Sequence, residues 1–417
     1  MSASIVDRII KNFINQPDKV AIRQHGVEKT YGQLQATSNA VASYLISNGL
    51  QKGERVALFV ENSFDYISIY YGVLISGGVV VPLNTSAKAI DLTHWINHSG
   101  SKWLFSTGKN SELREVASTL YDQIRYVVIG EHSIASNINI DAFDEVLSYG
   151  MIESYPVLEG DDYATIIYTS GTTGRPKGVA LTHANLHANM QSILEYMPII
   201  SDDKCLNVLP FYYSYGGSVL HIHMMAGATL VLENSFVFPH LILKKIQDDK
   251  ITSFSGVPST YALLLNRTKL SDFNLSSLRY ITQAGGPMSP THIAQIRNYL
   301  PNVKFIVMYG QTEATARLAY LPYDHLDMKI SSAGKAIPGV TLEIRDSKGN
   351  KLPAGQVGEI YAKGRNIMKC YWNDEDLTSK VLFDGWLKTG DLAKQDEDGY
   401  IYIIGRESEG SLMGYIV

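Results

Sequence analysis

Cysteine is nearly absent: the 417 residues contain only Cys205 and Cys370. They are far apart and form no CxxC pair, which excludes a disulfide framework and a cysteine-built zinc site. A reducing, cytoplasmic location is the expectation. Long apolar runs are missing as well. The longest, near 72–82, is interrupted by Ser76, Gly77 and Gly78 and is too short to span a bilayer. The first residues, Met1–Gln24, carry charges among their apolar positions and contain no uninterrupted signal-peptide core. No basic run occurs, and 36 Lys plus Arg against 41 Asp plus Glu leave a net charge of −5, so a nucleic-acid partner is not expected. The 45% hydrophobic content is too high for a disordered chain. The expectation is two or three lobes, each with its own core, and no stable membrane insertion.

Apolar periodicity alternates between strand and helix through the first three quarters. Ile5–Ile14, Tyr31–Asn48, Ser63–Leu74, Thr182–Met197 and Pro239–Asp248 read as helices. Val56–Phe59, Val79–Pro82, Thr165–Tyr168, Ala228–Leu232, Ser253–Gly256, Tyr280–Gln283 and Lys304–Met308 read as strands. This rhythm predicts an α/β fold with mostly parallel sheets covered by helices. After about Leu321 short alternating runs, Val340–Arg345 and Gly358–Lys363 among them, are separated by Gly, Pro, Asp and Asn, and predict a small antiparallel barrel or meander.

The sharpest motif is Tyr168-Thr-Ser-Gly-Thr-Thr-Gly-Arg-Pro-Lys-Gly178. It is read as following an apolar strand and preceding a helix. Its glycines let successive N–H groups converge on one concavity, while Ser170, Thr172, Thr173 and Lys177 add donors and a positive charge. Such a loop suits a polyphosphate. It is not a Walker A loop, because Pro176 stands where the second glycine is required and Gly178 where Ser or Thr is required.

This segment resembles the phosphate loop of the AMP-forming adenylating enzymes: acyl- and aryl-CoA synthetases, luciferases and the adenylation domains of peptide synthetases. Further elements of that family recur in order. They are Gly77–Asn84 (GGVVVPLN), Pro210–Gly216 (PFYYSYG), Gln283–Pro287 (QAGGP), Tyr309–Glu313 (YGQTE), Lys388–Asp391 (KTGD) and Gly405-Arg406. The resemblance implies activation of a carboxylic acid by ATP, with Mg2+, to an acyl-adenylate, normally followed by transfer to CoA or to a carrier-protein phosphopantetheine thiol. It implies that Thr169, Ser170, Gly171, Thr172, Thr173, Gly174 and Lys177 hold the β- and γ-phosphates. Ala284, Gly285, Gly286, Tyr309, Gly310 and Gln311 would be further nucleotide-binding residues, the Tyr309 ring facing adenine and Gly285 and Gly286 admitting its edge, and Asp391 and Arg406 would take the ribose hydroxyls. Thr312 would sit near the α-phosphate and Glu313 would bind the metal. Lys177, Thr312 and Glu313 are the implied catalytic groups, and Tyr213, Ser214, Gly217, Gly285 and Gly310 the implied acid pocket. The implied fold is two α/β subdomains, 1–165 and 166–320, and a distorted β-barrel, 321–405, with the active site in their shared crevice and 406–417 as a hinge remnant.

Two departures matter. Relatives continue after Gly-Arg into a further domain of roughly a hundred residues carrying a lysine in a PxxxxGK context. That motif does not occur here, so the sequence reads as the large N-terminal domain alone, able to bind ATP and acid but impaired in the complete reaction. Tyr213 stands where many acyl- and aryl-CoA synthetases have histidine, and no acid lies near it to hold an α-ammonium group. That disfavours, without removing, a stand-alone amino-acid adenylation domain serving a carrier protein. A non-catalytic acyl-adenylate binding module is the other alternative. A fatty or aryl acid is the expected substrate. His221 and His223, two apart on a helix, point to different faces and are expected to be core residues rather than metal ligands.

Overall fold

The computed structural model describes residues 4–135, 137–151, 154–169 and 176–406. The chain divides into two compact units. One is Met1–His187 with Pro210–Tyr213 and Met368–Glu375; the other is Ala188–Leu209 with Ser214–Ile367 and Asp376–Val417.

In the first unit the strands lie in the order Cys370–Tyr371, Lys177–Thr182, Tyr163–Thr169, Val79–Pro82, Arg55–Phe59, Trp103–Thr107, Arg125–Ile129, Ile140–Ala142. From Tyr163–Thr169 outward to Ile140–Ala142 every pairing is parallel. Apart from the edge strand Ile140–Ala142, these strands are largely buried and rich in Val, Ile and Phe, as parallel strands covered on both faces must be. The helix Tyr31–Ser47 begins with a capping box between Thr30 and Gln33, and Ser63 caps Phe64–Ile75. These two helices touch at Gly72, where any Cβ would lie 2.6 Å from that of Val41, so the close approach requires glycine.

One expectation is corrected here. The glycine-rich loop does not run from strand to helix. Lys177–Thr182 is a strand, antiparallel to Tyr163–Thr169, and the helix starts only at His183. The residues flanking the loop, Thr169 and Lys177, are therefore partners in an antiparallel strand pair. The apolar run Val179–Leu181 is fully buried and serves equally as a strand or a helix start, and pairing with both neighbours decides for the strand. Thr182 then caps the helix, its Oγ1 accepting from the Asn185 amide at 3.2 Å. The short strand Cys370–Tyr371 on its far side was not foreseen.

In the second unit a parallel run, Thr229–Leu232, Lys204–Asn207, Ser253–Gly256, Tyr280–Gln283 and Lys304–Tyr309, is extended by the antiparallel strands Ala319–Leu321 and Lys335–Ala336. Its core includes Leu206, Phe254, Ile281, Phe305 and Ile246. A separate antiparallel sheet, Val340–Arg345, Val357–Gly364 and Trp386–Gln395 with Leu382–Phe383 and Ile401–Arg406, curls into a half-barrel. The curl has a local cause. Glu359 pairs with Leu392 and Tyr361 with Lys388, so Trp386–Gln395 carries extra residues over Thr389-Gly390-Asp391. Such a bulge bends a strand and re-aims its side chains.

Among the described residues no helix is long and apolar enough to cross a membrane. His221 and His223 are both buried in Ser214–Ala226. His223 shares hydrogens with the Val219 carbonyl at 2.7 Å and the Tyr280 hydroxyl at 3.2 Å, as a core histidine does.

Candidate active site

In the first unit, Thr169 and Lys177 are register partners across the hairpin. The loop residues Ser170, Gly171, Thr172, Thr173, Gly174 and Arg175 lie outside the described residues, but both stems of the hairpin are anchored. The Tyr168 hydroxyl pairs with His98 Nδ1 at 2.8 Å, and its ring stacks on Trp95. The Trp372 amide donates to the Gly178 carbonyl at 2.7 Å. The Lys177 ammonium sits 5.4 Å from the centre of the Tyr371 ring. The unforeseen strand Cys370–Tyr371 thus braces the stem and places an aromatic face beside the Lys177 ammonium. Tyr213, half exposed, leans on Tyr212 with ring centres 4.5 Å apart. Burial first, and then Tyr213, push the Tyr212 phenol up to about 12.

In the second unit Tyr309 and Arg406 end strands, Ala284–Gly286 and Gly310–Gln311 follow strand ends, and Asp391 lies within Trp386–Gln395. Asp391 is buried, turned inward by the bulge at Thr389-Gly390. Gly390 has φ +74°, where side chains are strained. Its amide donates to Glu359 Oε1 at 3.0 Å, and Thr389 Oγ1 donates to the Ile360 carbonyl at 2.8 Å. The Tyr309 hydroxyl donates to one Asp391 oxygen at 2.6 Å, and Arg406 Nε donates to the other at 2.9 Å. Arg406 is also the register partner of Asp391 on the neighbouring strand. Burial, then the Asp391 carboxylate, hold the Tyr309 phenol far above its usual range, so it remains a donor. Burial works against the Arg406 charge, but Asp391 and more distantly Glu313 outweigh it and raise the guanidinium above its ordinary value.

Gly310 follows Tyr309 at a point without room. A Cβ there would stand 1.9 Å from the Ala316 carbonyl oxygen and 2.7 Å from Arg317 Cα. The chain returns so closely because Thr315, with φ +69° and ψ −55°, centres a γ-turn closed by the Ala316 amide on the Ala314 carbonyl at 2.8 Å. Thr315 Oγ1 donates to the Asn366 carbonyl at 2.6 Å, and Asn366 Nδ2 donates to the Ala314 carbonyl at 3.1 Å, which holds the strained turn in place. Thr312 Oγ1 donates to Ser214 Oγ at 3.1 Å at the start of the helix Ser214–Ala226, whose first turn also carries Gly217. Gln311 Nε2 reaches the Thr389 carbonyl at 3.5 Å. Ala284 is buried, Gly285 has φ +86°, and the loop is pinned by Gln283 Nε2 donating to the Gly286 carbonyl at 2.6 Å.

The structure therefore joins Tyr309, Asp391 and Arg406 in one hydrogen-bonded group and Ser214 with Thr312 in another. Among the described residues no cluster of three or more His, Cys, Asp or Glu could hold a metal by itself. Glu313, partly buried in the turn Thr312–Ala314, supplies one carboxylate. That donor set fits magnesium, which is commonly held by one or two carboxylates plus nucleotide phosphate oxygens. Sequence reasoning missed Thr315, whose strain has no residue-type signature. It also missed Arg317, a guanidinium only 2% exposed. An arginine among the apolar residues Ala314, Ala316, Leu318 and Ala319 was the available signal.

The family model described as AMP-binding enzyme matches residues 11–372. A feruloyl-CoA synthase from Amycolatopsis is 32% identical over 402 residues, covering 95% of this chain and 77% of its own length. A long-chain-fatty-acid–CoA ligase from Bacillus subtilis is 30% identical, covering 95% of this chain and 76% of its own length. The inhibitor-bound N-terminal domain of FACL13 from Mycobacterium tuberculosis superimposes with a TM-score of 0.87 at 26% identity, over 97% of this chain and 100% of that one. Apo MatB from Rhodopseudomonas palustris gives a TM-score of 0.87 at 28% identity, over 98% of this chain and 79% of that one. With the motifs in order, the fold matched along nearly its whole length and relatives that are CoA ligases, the chain belongs to the AMP-binding enzyme family.

Proposed function

We propose that this protein activates a small-molecule carboxylic acid with ATP and passes the acyl group to the thiol of CoA. A carboxylate oxygen attacks the α-phosphorus, the bond to pyrophosphate breaks, and a mixed acyl-phosphate anhydride forms. The thiol then attacks the acyl carbon, its proton is lost, and AMP leaves. Both reactants of the first step are anions, so charge must be neutralised while the two are held in line.

The observation that carries this reading is the Tyr309–Asp391–Arg406 group. A buried carboxylate held between a phenol and a guanidinium is built to receive a vicinal diol, and the Tyr309 ring offers a flat face for a base. Gly285 and Gly286 let backbone approach the base edge, with Ala284 and Gln311 beside them. Lys177, Thr169 and residues 170–174 would take the β- and γ-phosphates, and Thr312 the α-phosphate. Mg2+, held by Glu313 and the phosphates, would supply further charge neutralisation. Tyr213, Ser214, Gly217 and Gly310 would line the acid pocket. We assign 1–165 and 166–320 to α/β subdomains, 321–405 to the β-barrel subdomain and 406–417 to a hinge, and place the enzyme in the cytoplasm.

A carrier-protein phosphopantetheine is the alternative acceptor. The Tyr-Tyr-Ser-Tyr-Gly-Gly run beside the proposed pocket has no carboxylate for an α-ammonium group, which favours CoA ligation over amino-acid loading. Acid-dependent exchange of pyrophosphate into ATP tests the first step. Exchange with at least one acid, abolished by Asp391→Ala, is the expected result. AMP binding without exchange for any acid in a broad panel would leave only a binding module.

A further inference from the structure

Arg317 has no evident structural reason to be charged. It is among the largest fully buried side chains, at 2% exposure. Its backbone is fixed: the amide donates to Asn189 Oδ1 at 3.3 Å, and its carbonyl accepts from Asn189 Nδ2 at 3.0 Å and Asn366 Nδ2 at 3.1 Å. Its guanidinium lies over the Tyr215 ring, 4.3 Å from the centre, and Nε donates to the Met308 sulfur at 3.3 Å. Tyr196 is the other nearby phenol, and burial pushes the guanidinium below its ordinary range. Among the described residues Arg317 takes part in no ion pair, and the hydrogen bond its guanidinium makes is the one from Nε to the Met308 sulfur.

A buried cation without an anion is expensive, and an apolar side chain of similar volume would fill the space at lower cost. The aromatic face and the sulfur offset only part of this. Placement gives the charge a use. Arg317 stands backbone to backbone with Gly310, Met308 lies two residues before Gly310, and Tyr215 follows Ser214. Gly310 and Ser214 are both in the proposed acid pocket. The guanidinium is thus held directly behind residues that would surround the acid, with its fork of donors unclaimed.

We propose that Arg317 receives a second carboxylate on the substrate, so that the acid activated is a dicarboxylic acyl or aryl acid rather than a plain fatty or benzoic one. A planar fork of N–H groups matches a carboxylate bidentately, and burial strengthens the pair. The inference rests on the proposed function and narrows its substrate class.

The test is calorimetric binding of matched acids to the 417-residue chain in the presence of AMP. The pairs are glutaric against pentanoic, adipic against hexanoic, and terephthalic against benzoic acid. In at least one pair the diacid should bind about ten- to a hundred-fold more tightly, the range for a charged hydrogen bond. Arg317→Met should erase that preference while AMP still binds. Arg317→Lys, which keeps the charge and loses the fork, should reduce it, and serves alone if the methionine variant does not fold. Equal or weaker binding of the diacid in every pair overturns the inference while AMP binding leaves the proposed function standing. An equal loss for both members of a pair in Arg317→Met also overturns it. Failure of wild-type protein to bind AMP removes the proposed function and the inference together.

Discussion

The Tyr309 hydroxyl and the Asp391 carboxylate, 82 residues apart in sequence, meet at 2.6 Å in the interior of one unit. The bond ties the end of a parallel strand to a bulge in the half-barrel sheet. It also keeps Tyr309 a donor and fixes the plane of its ring. In the proposed reaction, one residue would supply the base-stacking face and the other the sugar contact, each orienting the other.

Asp391→Asn should weaken AMP binding. The change removes the charge opposite Arg406 and one acceptor of a buried, charge-assisted pair. A loss of roughly ten- to a hundred-fold is expected. Tyr309→Phe keeps the ring and removes only the hydroxyl, so a smaller loss, several-fold, should follow. Calorimetric titration with AMP measures both, and equal losses would contradict the division of labour between ring and carboxylate.

Gly390→Val should act on the same group without touching its chemistry. The left-handed backbone at φ +74° disfavours a β-branched residue by about 1–2 kcal/mol, and the bulge that aims Asp391 should relax. Stability from urea unfolding should fall by that amount and AMP affinity should fall with it. Combined with Asp391→Asn, the affinity losses should be less than additive, because both act through one carboxylate.

Gly310→Ala should be among the most damaging single-methyl additions in the chain. The new carbon would have to displace the Ala316 carbonyl, 1.9 Å away, in a turn already strained at Thr315. About 3 kcal/mol of destabilisation is expected, the upper part of the range for overpacking. Circular dichroism through a urea titration checks it. A change within ~0.5 kcal/mol of wild type would mean that the turn is softer than its hydrogen bonds imply.

Acid should destabilise the first unit through His183. Burial lowers its pKa from 6.5 to about 4, against an opposing pull from Asp162. The unfolded chain therefore binds the proton first. Stability is fully present above the unfolded value near 6.5 and falls as pH drops from there toward about 4, with roughly 3 kcal/mol at stake. His183→Gln should flatten this part of the stability-versus-pH curve measured by thermal unfolding. His221, lowered to about 3 by burial, should act in the same direction.

Much of this was legible in the sequence because the relevant signals are local. Thr30 with Gln33, Ser63 before Phe64, and Pro at 239, 258 and 290 mark helix starts, and the parallel strands announce themselves as short apolar runs. The strand Lys177–Thr182 was misread because its partner on one side, Cys370–Tyr371, comes from almost two hundred residues away, and no local pattern records such a pairing. Family motifs pointed to Asp391 and Tyr309, but the bulge that turns Asp391 inward depends on register against Val357–Gly364, a property of two strands together. Arg317 escaped because a buried charge is recognised only once its surroundings are known.

The tiny strand Cys370–Tyr371 has a kinetic consequence. It seals the flank of Lys177–Thr182, yet a ribosome delivers it only after the greater part of the polypeptide has emerged. Until then the nascent first sheet must carry an open, apolar border, the kind of border that recruits stray chains. Any truncation ending before Tyr371 should perpetuate that exposed state, so such fragments should precipitate rather than persist as soluble half-molecules.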